Sequence, residues 1–431
     1  METNKIFITQ LNIEKVRHLK DVIIPLYFSD KSADRPEIQK QLPIKHLLIT
    51  GKNGSGKTSV LDALEKFLDD ICENQRLFNA KKQLPLAKIN LENKIKRQTD
   101  VSSIVTTQKA IELYEKTIDQ FDSGISAEFN QDLYTINKAF QKGEFILAYF
   151  KAERTFKAKE SKHVEKVNLK DTYKISENPR EDFVKYLVDK KVSQSLYQTK
   201  KETKKAEELA NWFKSFEQLL QDIYSDPTLV LDFDVDSFSF HIQEDGREDF
   251  NFNTMSSGYA AILDIVVGII MRMEQHTNGQ FEFDMPGIVL VDEIETHLHY
   301  ELQKKVLPFL CTIFPNIQFI VSTHSAFILN SIENAVIYDL ENKVTVQNGL
   351  SDVPYDGIIE GYFDVSTLSK ELQSKFERYK ELVKKKNLTD EDFAEIKRLA
   401  LYLEEIPDYL ALDVTTEYRR LKLEFEHRED I

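Results

Sequence analysis

The stretch GKNGSGKT at residues 51–58 decides the reading of this chain. It follows HLLIT, a short apolar run of strand character, and precedes TSVLDALEKFLDDI, whose apolar residues recur at helical spacing. A glycine-rich turn between a strand and a helix is the context in which GxxxxGK[ST] binds phosphate. Gly51, Gly54 and Gly56, with Asn53 and Ser55 between them, free the backbone N–H groups to close around phosphate oxygens. Lys57 reaches the β- and γ-phosphates, and the Thr58 hydroxyl is a Mg²⁺ ligand. Three of the chain's 13 glycines lie in this stretch, and a chance match in a chain of this length is on the order of one in a hundred. ATP and Mg²⁺ are therefore the expected cofactors.

Further along, GIVLVDE is a continuous apolar strand that ends in Asp292 and Glu293. An aspartate here holds Mg²⁺ through its water shell, and the following glutamate orients or deprotonates the attacking water. A second apolar strand, IQFIVSTHS, ends in polar residues that include His324, which is in a position to meet a γ-phosphate. Strands alternating with helices, with polar residues gathered at strand C-termini, predict an α/β sheet whose ligand lies beyond the carboxyl ends. Between loop and strand, MSSGYAA at 255–261 opens an apolar helix. On its own that is an ordinary serine-capped helix start.

Composition limits the alternatives. The chain has 431 residues, 41% hydrophobic and 30% charged, which suits a globular protein with a sizeable core. Its first twenty residues lack the layout of a signal peptide, and its longest apolar run, near Ala260 to Met271, is too short for a bilayer. A cytoplasmic protein without membrane contact is expected. Cys72 and Cys311 are far apart and form neither a disulfide framework nor a zinc site. The net charge is −15 but uneven: residues 151–205 hold 16 Lys and Arg against 9 Asp and Glu, and residues 355–431 hold 13 against 19. The basic segment is a candidate surface for nucleic acid, although lysines on helices are commonly a solvated face.

Four regions are expected: a nucleotide-binding part at 1–71, a mainly helical insertion at 72–227 interrupted by the core strand FILAYF, a second part at 228–350, and a charged helical tail at 351–431. LVLDFDVDSFSFHIQ and EDFNFN are expected to pair around Asp245-Gly246. Glu295, His297 and His299 offer a possible metal set but are better read as the loop after Glu293. Thr389-Asp390-Glu391-Asp392 is read as a capped helix start rather than a metal pair.

These motifs resemble the ATP-binding-cassette ATPases, in the branch with Rad50, RecF, structural-maintenance-of-chromosomes proteins and the overcoming-lysogenization-defect ATPases. The likeness covers about 1–70 and 228–350. It implies an ABC-ATPase P-loop fold with a mainly helical insertion between Walker A and signature and a helical C-terminal tail. It implies that Ser256, Ser257 and Gly258 act in trans on the γ-phosphate of a second subunit, so that a homodimer or higher oligomer hydrolyses ATP. Met255 and Tyr259 stand where that family's LSGGQ has Leu and Gln. Where its Q-loop glutamine falls, this chain has Glu153 and Arg154, the latter a candidate phosphate sensor. No nuclease pattern follows the cassette, and the whole architecture is similar to the ATPase subunit of Septu-type antiphage systems, which implies a separately encoded HNH nuclease as partner. The alternative implied by the same branch is a RecF-like or SMC-like repair ATPase that binds DNA directly.

Overall fold

The computed structural model describes residues 5–27, 43–98, 100–154, 156–159, 163–277, 279–358, 370–404 and 412–428. The chain divides into two compact units, residues 1–353 and 354–431.

The first unit opens with β1 (Ile8–Val16) and β2 (Leu19–Pro25), an antiparallel pair. β3 (His46–Thr50) is wholly buried and runs into the glycine-rich turn, after which α1 (Lys57–Asp69) packs its Val60, Leu61, Leu64 and Leu68 inward. α2 (Arg76–Lys96) and α3 (Val101–Phe121) then form a helical hairpin. β4 (Ile125–Phe129) returns to pair with β1, α4 (Leu133–Gln141) follows, and β5 (Ile146–Phe150) is buried along its length. The region between 72 and 227 thus contributes a strand to each of the three-stranded and six-stranded sheets as well as helices. The contribution of β4 was not anticipated, because ISAEF alternates too weakly and only Ile125 on it is fully buried.

α5 (Phe183–Thr199) and α6 (Thr203–Tyr224) pack together, joined by the aromatic cluster of Phe183, Trp212 and Phe216. β6 (Val230–Asp234) and β7 (Ser239–Gln243) form a hairpin. Its turn lies at 235–238, earlier than the Asp245-Gly246 turn that the alternation predicted. The Asp234 carboxylate accepts from Asp236 N–H at 2.9 Å and from the Ser237 hydroxyl at 2.5 Å, a local side-chain closure that reverses the chain before the glycine is reached. Phe250 retains one isolated bridge to Ile242.

α7 (Ser257–Met273), β8 (Gly287–Val291), α8 (Tyr300–Ile313), β9 (Ile317–Ser322), the short α9 (Ala326–Leu329), β10 (Ala335–Asp339) and β11 (Val344–Gln347) complete the unit. The main sheet has the order β11-β10-β3-β9-β8-β5. β10, β3, β9, β8 and β5 are parallel neighbours, and β11 is antiparallel at one edge. These strands read as continuous apolar runs because helices cover a parallel sheet on its faces. The smaller sheet, β2-β1-β4, is tied to it by a polar clasp. Gln318 on β9 is fully buried; its Oε1 accepts from Ile8 N–H at 2.7 Å, and its Nε2 donates to Ile8 O at 3.0 Å and Lys45 O at 2.8 Å. A buried amide so placed leaves no donor unpaired and fixes the two sheets in register.

The second unit holds α10 (Lys370–Lys384), α11 (Asp390–Glu404) and α12 (Leu412–Glu426), packed around Phe376, Tyr379, Leu399, Tyr418 and Leu421. At the start of α11 the Asp392 carboxylate accepts from Thr389 N–H and Oγ1, each at 2.9 Å, while Asp392 N–H donates to Thr389 Oγ1 at 3.2 Å. This is the reciprocal cap expected from the sequence. Among the described residues no cluster of His, Cys, Asp and Glu is arranged to hold a metal, and no helix is long and apolar enough to cross a membrane.

Candidate functional site

The carboxyl ends of β3, β8 and β9 meet at one point, and the residues singled out from the sequence gather there. The turn after β3 closes with Ser55 N–H donating to Lys52 O at 3.1 Å. Gly56 caps α1 at φ 102°, a left-handed conformation that costs a residue with a Cβ about 1–2 kcal/mol. Gly51 is needed for space as well: a Cβ there would lie 2.9 Å from Ser55 Oγ and 3.3 Å from Asp339 Oδ1. Because Gly56 has no capping side chain and the first turn of α1 no acid, the free amides of the helix start are open to an anion. Thr58, on that first turn, is exposed.

Lys57 is buried and folds back over the loop, where its Nζ donates to Gly51 O at 2.9 Å and Lys52 O at 3.2 Å. Burial holds its pKa below the ordinary lysine value, while the carboxylates of Glu293, Glu295, Asp292 and Asp339 draw it back up. A partly desolvated ammonium surrounded by acids is poised to exchange carbonyl partners for phosphate.

Asp292 and Glu293 follow β8. Asp292 is 3% exposed, and the Ser322 hydroxyl at the end of β9 donates to its Oδ1 at 2.5 Å. The same Ser322 oxygen accepts from Glu293 N–H at 2.7 Å. Glu293 has φ 44°, a left-handed backbone for a residue that is not glycine, which stores about 1–2 kcal/mol of strain. Its Oε2 accepts from Thr296 Oγ1 at 3.4 Å.

His324 follows β9. Its N–H donates to Glu295 Oε1 at 2.6 Å, and its ring is held below the usual histidine pKa by burial first and by Lys57 next. Four polar atoms around this point are buried without a partner: Thr50 Oγ1, Ser55 Oγ, Glu295 Oε2 and His324 Nε2. Unpaired buried polar atoms are costly and uncommon. Their convergence on one phosphate-binding turn fits a nucleotide with its metal ion as the missing partner.

Ser256 and Ser257 are exposed at the start of α7, and neither hydroxyl bonds within the described residues. The side-chain cap that the sequence predicted at Ser256 is not made, so the helix start keeps its free amides. Gly258 is buried where a Cβ would lie 3.0 Å from His297 O. The start of α7 and the loop after Glu293 are therefore packed against each other. Tyr259 stacks on Tyr224 with ring centroids 3.9 Å apart, so its side chain is engaged within its own chain.

Arg154 lies behind β8. It is 2% exposed, and its guanidinium donates to the carbonyls of Lys151, Asp292, Glu293 and Ile294. Its N–H groups grip the backbone that carries the acids, where a phosphate sensor was expected.

Sequence reasoning missed several contributors. Glu295 is read from the sequence as part of the loop after Glu293 rather than as a metal ligand, and its carboxylate also anchors the His324 N–H. Ser322 was read as part of a polar strand end. The turn after β10 closes on the loop through Glu341, whose carboxylate meets Lys52 Nζ at 2.9 Å. The β1–β2 turn brings Leu19 and His18 within 3.2 and 3.6 Å of a Cβ on Gly56. Only Ser322 carried a local signal, its place one residue before Thr323-His324. The basic segment also changes meaning. Lys159, Lys166, Lys170, Lys174, Arg180, Lys185, Lys190 and Lys205 each pair with a carboxylate, and because Glu73, Asp264 and Glu274 come from outside the segment, part of the local excess of cations is offset in the fold.

The family model described as "AAA domain, putative AbiEii toxin, Type IV TA system" matches residues 47–330, from β3 through α9. The chain belongs to this AAA-domain family. The match takes in the phosphate-binding turn, the acids after β8 and His324. Three curated relatives of this AAA-domain protein are similar to it. One is "Retron Ec83 probable ATPase" of Escherichia coli, 33% identical over 32% of this chain and 26% of its own length. "Retron Vc95 probable ATPase" of Vibrio cholerae serotype O1 biovar El Tor is 24% identical over 67% of this chain and 68% of its own. "Septu protein PtuA" of Bacillus mycoides (strain KBAB4) is 25% identical over 91% of this chain and 50% of its own. The chain spans half or less of the length of two of these relatives.

Proposed function

We propose that this protein binds and hydrolyses ATP with Mg²⁺ as the ATPase subunit of a bacterial antiphage defence complex, and that its nucleotide state controls assembly with a separately encoded effector, an HNH nuclease. The observation that carries the ATPase reading is the convergence of four unpartnered buried polar atoms on the phosphate-binding turn, beside Lys57, Asp292 and Glu293. The defence context draws on the similarity to the Septu and retron proteins.

In this reading the backbone of Gly51, Asn53, Gly54, Ser55 and Gly56 cradles the phosphates. Lys57 leaves its two carbonyls for phosphate oxygens. Thr58 and Asp292 would hold Mg²⁺, which would supply charge neutralisation at the phosphates. Glu293 orients the water and accepts its proton, and neutral His324 meets the terminal phosphate through Nε2. Ser256, Ser257 and Gly258, with open helix amides, cap the same phosphate in a second subunit. Hydrolysis then needs a homodimer or higher oligomer with composite sites.

The test is to compare Lys57→Ala and Glu293→Gln with the parent for Mg-ATP binding, hydrolysis and self-association. Lys57→Ala should lose binding. Glu293→Gln should bind, fail to turn over and accumulate as the dimer, and affinity purification of that trapped form should recover the effector. Parental turnover by Glu293→Gln would remove the catalytic assignment, and recovery of host DNA with no companion protein would turn the reading to a repair ATPase.

A further inference from the structure

We propose that Arg154 is a positioning residue for hydrolysis: it holds the Glu293 backbone in its left-handed conformation. The inference rests on the ATPase reading above and adds a residue that touches neither nucleotide nor metal.

The geometry is specific. Where β8 ends, the carbonyls of Asp292, Glu293 and Ile294 turn inward, away from any strand partner. Arg154 Nη1 meets Asp292 O at 2.6 Å; Nη2 meets Glu293 O at 2.7 Å and Ile294 O at 3.2 Å. Nη1 is also held by Lys151 O at 3.1 Å, which ties the guanidinium to the chain just after β5. A planar fork of donors suits several carbonyls of one tight turn, as a lysine ammonium does not. On the other side of the same peptide, Glu293 N–H is fixed by Ser322 Oγ at 2.7 Å. A residue strained at φ 44° persists only when its surroundings over-determine it, and these two clamps do so.

The test compares Arg154→Lys with the parent on the full chain for kcat, for Mg-ATP dissociation constant and for melting temperature, with Arg154→Gln as a second replacement in case lysine misfolds the turn. Arg154→Lys should lower kcat by roughly tenfold or more while the dissociation constant stays within about twofold. In the Glu293→Gln background, which does not turn over, Arg154→Lys should likewise leave Mg-ATP binding within about twofold. Unchanged kcat, or losses of affinity and kcat in equal proportion, would each overturn the proposal and leave the ATPase reading intact. Full turnover by Glu293→Gln alone would overturn both.

Discussion

Ser322 and Asp292, at the ends of neighbouring parallel strands, share a 2.5 Å hydrogen bond, and the same hydroxyl receives the Glu293 amide. One oxygen thus orders both acids of the site. Ser322→Ala leaves a buried carboxylate oxygen and a buried N–H short of a partner, which costs about 1–3 kcal/mol. The expected outcome is a lower melting temperature together with a kcat decrease of at least about tenfold, with Mg²⁺ dependence shifted to higher concentration. Steady-state hydrolysis over a Mg²⁺ titration checks it.

Glu293→Gly and Glu293→Gln should both stop hydrolysis but differ in stability. Glycine relaxes the strain at φ 44°, whereas glutamine keeps it. Glu293→Gly should therefore unfold at higher denaturant than Glu293→Gln, by about 1 kcal/mol. Equal midpoints would mean that the backbone there carries no strain.

Gly258→Ala separates folding from assembly. Alanine has the better helix propensity by about 1 kcal/mol, but its Cβ would press on His297 O at 3.0 Å and push the signature from its loop. The variant should keep its melting temperature within a few degrees and bind Mg-ATP, yet fail to dimerise in a trapped background. Sedimentation of Gly258→Ala/Glu293→Gln with Mg-ATP reads this directly.

His46 makes stability depend on pH. Its Nδ1 accepts from Phe319 N–H at 3.1 Å inside the sheet, and burial pulls its pKa from 6.5 to about 4. The native state therefore refuses a proton that the unfolded chain takes, so this contribution is fully present above pH 6.5 and is lost as pH falls toward 4. The loss amounts to about 3 kcal/mol at its end. Between pH 7 and 4.5 the parent should lose stability more steeply than His46→Asn; parallel curves would show that His46 titrates normally.

What was legible in the sequence was local. The turn at 51–58, the acids after β8 and the cap at Thr389 and Asp392 each depend on neighbours within a few residues, and each has a composition that few other structures tolerate. Three partners of Arg154 lie 138 to 140 positions away, and the clasp of Gln318 on Ile8 spans 310. Such pairings are fixed by topology, which apolar periodicity does not encode. The same reason hid the partial offset of the cations of residues 151–205, since charge counted along a segment ignores the carboxylates brought in from elsewhere, Glu73, Asp264 and Glu274. The hairpin at β6 and β7 failed differently: two turn signals competed, and the carboxylate of Asp234 outweighed the glycine.

That internal pairing of cations also shapes how the molecule meets its surroundings. With a net charge of −15, the protein presents an anionic far field to a nucleotide that is itself an anion. Encounter is then opposed at long range and favoured only within the last few ångströms, at the amides of α1. Added salt shortens the reach of the repulsion, so nucleotide capture should quicken as ionic strength rises from very low values, the opposite of an electrostatically guided pair.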